Sequence, residues 1–275
     1  MLHETFKMQV EGSLPDSKLV TYIQEYSDVM AIQKRPLILI CPGGGYSRTS
    51  DREAESMALQ FLAMGYHAAI LRYSCDPAKF PTALMELASA MKLIRDNAEE
   101  WYVDANKIIV QGCSAGGHLA ASLGMFWDED FLAEGIGLTK DDHEQLRPNG
   151  MLLCYPVITS GEFAHRGSFA CLLGEKEAEL GERMSLEKQV SSKTPKAFIW
   201  HTFEDKSVPV ENSLLLVNAL RKHDISTEFH MYPKGEHGLA LANHLTETTD
   251  GRALQPECTS WIGLAHTWLE SNFGV

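Results

Sequence analysis

Short apolar runs alternate with longer stretches of helical spacing from Leu37 almost to the C-terminus. The strand-like runs are Leu37 to Cys41, His67 to Tyr73, Lys107 to Gln111, Met151 to Tyr155, Ala197 to Thr202 and Thr227 to Tyr232. Between them the pattern predicts helices near Asp51 to Met64, Pro81 to Ala98, Ala115 to Gly124 and Glu211 to His223, with a last one near Glu257 to Phe273. In the second of these, Leu84, Leu87, Ala88, Met91 and Ile94 follow the three-and-four spacing of one buried face, and Pro81 falls in the first turn. Strand and helix in alternation predict parallel strands joined by crossover helices. An N-terminal β pair, Phe6 to Val10 and Leu19 to Tyr26, precedes them.

Two stretches break the rhythm. Trp127 to Pro148 is acidic and polar, and Pro156 to Pro195 carries Gly161, Gly167, Gly174 and Gly181 between short apolar pieces. The second reads as an insertion after the sixth strand, lying over the active-site face, because loops at the carboxyl ends of parallel strands surround the ligand crevice. With 275 residues, 44% of them hydrophobic, the chain can bury a large core, and no repeat or linker divides it. One domain spanning residues 1–275 is expected.

A formal net charge of −13 with no basic run argues against a nucleic-acid partner, since phosphate binding is driven by clustered Lys and Arg. MLHETFKMQV has no apolar core of signal-peptide length, and runs such as Leu37 to Cys41 are too short to cross a bilayer. A soluble cytoplasmic protein without a membrane partner is expected. Six cysteines, at 41, 75, 113, 154, 171 and 258, are scattered without a CxxC pair and read as reduced core thiols.

The chemistry concentrates in VQGCSAGGH, Val110 to His118. Ser114 is framed by Gly112 and Gly116 between a β-branched strand and a helix rich in small residues. A nucleophile on so sharp a turn needs small neighbours at minus two and plus two, and the helix that starts there aims free N–H groups at a developing oxyanion. Cys113 abuts the serine, but the glycine spacing centres on Ser114 and leaves Cys113 as a pocket wall or core residue.

A serine hydroxyl needs a base to take its proton and an acid to orient that base. Asp205 lies in FEDKSVP, directly after the strand ending at Thr202, and His237 lies in YPKGEHGLAL, after the strand ending at Tyr232. Glu204, adjacent to Asp205, competes for the acid role and spacing alone does not exclude it; Asp205, in the strand-end loop and followed by SVP, is favoured. His118, one helical turn beyond Ser114, is expected to pack beneath the turn, and His201 to be a buried, hydrogen-bonded group. The remaining histidines have no paired metal-ligand spacing. Upstream, CPGGGY, Cys41 to Tyr46, offers consecutive glycine N–H groups after a strand; Gly44 and Gly45, with Ala115, are the candidate oxyanion donors.

These motifs resemble the α/β-hydrolase superfamily, specifically small esterases in which a PGGGY or HGGG loop precedes a GxSAGG turn. The resemblance runs from Pro36 to Phe273 and includes Arg72 and Tyr73 after the second parallel strand, the helix following Phe80, and VDANKI before the nucleophile strand. It is similar to the acetyl-esterase and xylan-esterase-like branch. That likeness implies a sheet of about eight mostly parallel strands with helices on both faces and a metal-free, cofactor-free mechanism. It also implies a short acyl ester substrate, an O-acetylated sugar being one candidate, and Ser114, Asp205 and His237 as the triad. Pro42 stands where lipase-type loops have histidine, and Thr202 where the acid loop usually has glycine.

A serine peptidase of the prolyl-oligopeptidase type would use the same three residues, but the chain has no room for an N-terminal propeller. A glycosidase would need two carboxylates across a sugar ring, which no motif supplies. A non-catalytic binding module on the same fold is the third alternative. Oligomeric state, self-association included, is open on the sequence.

Overall fold

The computed structural model describes residues 1–274. Eight strands form one sheet: β1 Thr5–Lys7, β2 Lys18–Tyr22, β3 Arg35–Cys41, β4 His67–Arg72, β5 Val103–Cys113, β6 Gly150–Cys154, β7 Ala197–Thr202 and β8 Thr227–Tyr232. Their order across the sheet is β1-β2-β4-β3-β5-β6-β7-β8. The β1·β2 and β2·β4 pairs are antiparallel and every other pair is parallel. This is the mostly parallel sheet expected, with the N-terminal hairpin as its antiparallel edge.

Because side chains alternate across a strand, each parallel strand feeds two separate cores. Leu37, Leu39, Val110, Leu153 and Ile199 point to one face, where they meet α2 (Thr82–Asp96), α3 (Ala115–Phe126) and α7 (Glu211–Lys222) through Leu87, Met91, Leu123 and Leu216. Ile38, Ile40, Ile109, Leu152, Phe198 and Trp200 point to the other, under α1 (Glu55–Ala63) and α8 (Trp261–Phe273). Burial on both faces is why these strands read as apolar runs rather than as polar-apolar alternation. Trp200 stacks on Trp261, ring centroids 5.2 Å apart and 18° from parallel, which seats α8 on β7.

Several element ends differ from expectation. β5 begins at Val103 rather than Lys107, and Val103 pairs with Arg35 before a register shift. The helix after Phe80 starts at Thr82, so Pro81 precedes the first turn instead of lying in it. The polar stretch 127–148 holds α4 (Asp130–Gly135) and a short 3₁₀ turn. Residues 156–195 lie between β6 and β7 and contain two short helices, α5 (Arg166–Leu173) and α6 (Glu177–Leu180).

The chain order reverses between β3 and β5: β4 lies on one side of β3 and β5 on the other. Ligands bind at such a switch point, beyond the carboxyl ends of the strands. The GGG loop follows β3, Ser114 follows β5, Tyr155 follows β6, Asp205 follows β7 and His237 follows β8, so every candidate residue arrives at the same edge. No helix of the described residues is long and apolar enough to cross a membrane.

Candidate active site

Between β5 and α3 only Ser114 is left to make the turn, and it takes φ 55°, ψ −121°. Backbone in that region costs on the order of 1–3 kcal/mol for a residue with a side chain. It is held by the Ser114 N–H donating to the Cys154 carbonyl at 2.9 Å and by the Ser114 carbonyl accepting from the Val157 N–H at 3.0 Å. The flanking glycines are sterically required. A Cβ on Gly112 would lie 2.1 Å from the Gly116 carbonyl oxygen, and one on Gly116 would lie 2.0 Å from that of Cys41. Cys113 points into the core beneath the turn, where burial pushes its thiol well above its usual range. It is a core residue.

The structure brings Ser114, His237 and Asp205 together. Ser114 Oγ lies 2.7 Å from His237 Nε2, and His237 Nδ1 lies 2.6 Å from Asp205 Oδ2. A carboxylate only accepts, so Nδ1 carries the proton and Nε2 accepts from the serine hydroxyl. The other Asp205 oxygen accepts from the Ser207 and Val208 N–H groups, both at 2.9 Å. Burial pushes this carboxyl up, but hydrogen bonds from His201 and His237, the His237 charge and the Val208 N–H outweigh it and hold Asp205 well below the usual carboxylate range. Glu204, the competing acid, is exposed on the same loop, and Asp205 is the carboxylate that meets His237. Thr202 fills the position expected to be glycine by donating its hydroxyl to the Gly235 carbonyl at 2.9 Å, which ties the acid loop to the His237 loop.

His118 packs under the turn as expected. Its Nε2–H donates to the Met184 carbonyl at 2.9 Å, which leaves Nδ1 to accept from the Tyr46 hydroxyl at 2.9 Å, and burial pushes it down to about 4.

In the GGG loop the N–H groups have separate duties. Gly43 N–H donates to Glu53 Oε2 at 2.9 Å and is not free for a substrate, which narrows the sequence expectation for this loop. Gly44 has φ +134° and Gly45 φ +67°, and the Gly44 carbonyl accepts from Ser47 and Arg48. Among the described residues the Gly44 and Gly45 N–H groups donate to no other protein group. The Ala115 N–H, in the first turn of α3, likewise has no helical acceptor before it. All three candidate donors therefore remain available beside Ser114.

A cavity of about 380 Å³ opens over these groups, lined among others by Gly44, Gly45, Arg48, Ser114, His165 and His237. The insertion contributes to it through His165, which caps α5: its Nδ1 accepts from the Ser168 N–H at 3.2 Å, so a neutral ring carries its proton on Nε2. Burial, and then the neighbouring His237, push this imidazole down. A larger cavity, about 1040 Å³, adjoins the first through Ser207 and His237.

Four residues at the site carry no sequence signal. His165 lies in a stretch without periodicity; Arg52 and Glu53 sit in a polar turn; Tyr155 is the last residue of an apolar run. Only proximity reveals them. Arg52 donates to the Gly238 and Thr246 carbonyls, at 2.9 and 2.6 Å, and Glu53 accepts from the Tyr155 hydroxyl at 2.7 Å.

A mostly parallel eight-stranded sheet with a serine on a strained strand-to-helix turn and an imidazole and a carboxylate at later strand ends defines an α/β-hydrolase. The chain belongs to the BD-FAE family, an α/β-hydrolase esterase family, whose model matches residues 25–220. It is 38% identical over 221 residues to endo-1,4-beta-xylanase B of Butyrivibrio fibrisolvens, a match covering 76% of this chain and 33% of that protein. The chain thus spans about a third of that relative's length. Among solved structures, the acetyl ester-xyloside bifunctional hydrolase from Caldicellulosiruptor lactoaceticus is 38% identical with a TM-score of 0.79, covering 94% of this chain and 89% of that one. The carboxylesterase Cest-2923 from Lactobacillus plantarum WCFS1 is 29% identical with a TM-score of 0.83, covering 98% of each chain.

Proposed function

We propose that this chain acts as one catalytic domain that hydrolyses short acyl esters through a covalent acyl-enzyme. His237 takes the Ser114 proton as Ser114 Oγ attacks the ester carbonyl. The N–H groups of Ala115, Gly44 and Gly45 stabilise the resulting oxyanion. His237 then protonates the leaving alcohol, and water, deprotonated by the same imidazole, releases the acid. Asp205 fixes the tautomer and stabilises the imidazolium. The observation that supports this reading is the unbroken line of hydrogen bonds from Ser114 Oγ through His237 to Asp205, at 2.7 and 2.6 Å.

Acetate esters of sugars are the substrate class this reading favours. The cavity over Ser114 is small and polar, and the larger one beside His237 offers room for a saccharide on the leaving-group side. One relative is named an acetyl ester-xyloside hydrolase. Its xyloside chemistry is not carried over, because the reading rests on the line from Ser114 through His237 to Asp205. Six free cysteines suit a reducing compartment such as the cytoplasm.

The test pairs acetate release from p-nitrophenyl acetate and acetylated xylo-oligosaccharides with fluorophosphonate labelling. Turnover and labelling in the wild type, both lost in Ser114→Ala, are expected. A Ser114→Ala variant that keeps either one overturns the proposal.

A further inference from the structure

Glu53 is a buried acid that the proposed reaction leaves without a task. Its side chain joins the GGG loop to Tyr155, at the end of β6, and Tyr155 in turn reaches the His237 loop. Oε2 accepts from the Gly43 N–H at 2.9 Å, and Oε1 accepts from the Tyr155 hydroxyl at 2.7 Å. The Tyr155 oxygen in turn accepts from the Ala240 N–H at 2.9 Å, three residues beyond His237. The edge of the Tyr155 ring meets the His237 imidazole, with centroids 5.2 Å apart at 74°. Burial, with the nearby Cys113 and Glu53, pushes the Tyr155 phenol well above its usual range, so it stays protonated and donates to Glu53.

The space around Glu53 is as tight as its hydrogen bonding. A Cβ on Gly43 would lie 2.6 Å from Glu53 Oε2 and 3.0 Å from Ser114 Cβ, so carboxylate, glycine loop and nucleophile crowd one point. Tyr155 holds an unusual φ of 38°, a conformation that needs support from its surroundings. A buried carboxyl group is costly to desolvate unless its acceptors are filled. Here one oxygen is filled by the GGG loop and the other by Tyr155, which carries the link on to the His237 loop.

We infer that Glu53 and Tyr155 are positioning residues, a buried strut that sets the GGG loop and the His237 loop at one fixed separation. The inference rests on the esterase reading of this site. Glu53 presents the loop that carries the Gly44 and Gly45 donors, and Tyr155 orients the imidazole and anchors the backbone after it. The strut thereby lines up oxyanion donors and base on the same ester group.

The variants are Glu53→Gln, Tyr155→Phe and the double variant, each assayed per fluorophosphonate-titrated site, alongside amide hydrogen exchange of residues 43–45 and 236–242. Misplacement of catalytic groups by about 1 Å costs on the order of 100-fold, so kcat should fall by about that factor in each single variant. KM should stay within about twofold, and the double variant should lose little more than either single one, as parts of one unit do. Exchange should accelerate in both loops in both single variants. The inference is overturned if kcat stays within about twofold of wild type, if the two losses multiply in the double variant, or if exchange changes in one loop only. Tyr155→Phe keeps the ring and serves where Glu53→Gln fails to fold. The exchange measurement needs no turnover, so a wild type without esterase activity would remove the esterase reading while the strut is still decided.

Discussion

His201 Nε2 lies 3.3 Å from Asp205 Oδ2, and neither side chain is exposed. The same nitrogen donates to the Val208 carbonyl at 2.9 Å, and Nδ1 contacts the Ser213 hydroxyl at 2.8 Å. Asp205 is thus held between two imidazoles, one structural and one at the reaction site. His201→Ala should leave the Val208 carbonyl and Ser213 without partners and destabilise the fold by about 2–4 kcal/mol. Urea denaturation should show this loss, and an unchanged midpoint would contradict it.

The acid role separates Asp205 from its neighbour. Asp205→Asn keeps the shape but favours the wrong His237 tautomer, and kcat should drop by about 10⁴-fold. Glu204 is exposed on the same loop, so on the proposed mechanism Glu204→Gln should retain kcat within about twofold. Equal losses in the two variants would refute the assignment.

Gly116→Ala should be among the most damaging substitutions outside the reacting groups. The new methyl would meet the Cys41 carbonyl oxygen at 2.0 Å and that of Pro42 at 2.5 Å, backbone atoms that cannot rotate away. Overpacking of this kind costs about 3 kcal/mol or more. Gly263, whose Cβ would meet nothing within 4 Å, is the control; thermal melts should show a drop for Gly116→Ala and no loss for Gly263→Ala.

Acid should weaken the fold before the carboxylates titrate. Burial pushes both His118 and His67 down from 6.5 to about 4. Between those values the unfolded chain binds a proton at each site that the folded chain does not, so stability falls as pH falls through the window. From pH 7.5 to pH 5 the loss is roughly 2 kcal/mol for each histidine. Urea midpoints across this range should decline, less steeply in His118→Gln; a flat profile would be inconsistent with neutral, buried imidazoles.

His165 lines the small cavity from the insertion. Removing its ring in His165→Ala should enlarge that cavity and favour a longer acyl chain. One methylene is worth about 10-fold or more in such discrimination, so the propionate-to-acetate ratio of kcat/KM should rise by about 10-fold on p-nitrophenyl esters. A ratio that does not move would mean that His165 faces the alcohol instead.

The sequence alone determined the alternation of strands and helices, the serine on its glycine-flanked turn, and the two strand-end loops bearing Asp205 and His237. Those features are local: apolar spacing sets the elements, and steric crowding at a sharp turn dictates the glycines. Spacing alone left Glu204 beside Asp205; the SVP that follows favoured Asp205, and the path of the loop buries Asp205 and exposes Glu204. Gly44 and Gly45 were candidate donors from the sequence, and the Glu53 carboxylate that engages the Gly43 N–H is visible only in the fold. Glu53, Tyr155, His165 and His201 became part of the site through contacts between residues up to about a hundred positions apart, such as Tyr155 on Glu53. Such contacts leave no periodic trace because they are made by single side chains whose partners are chosen by the packing of the whole sheet.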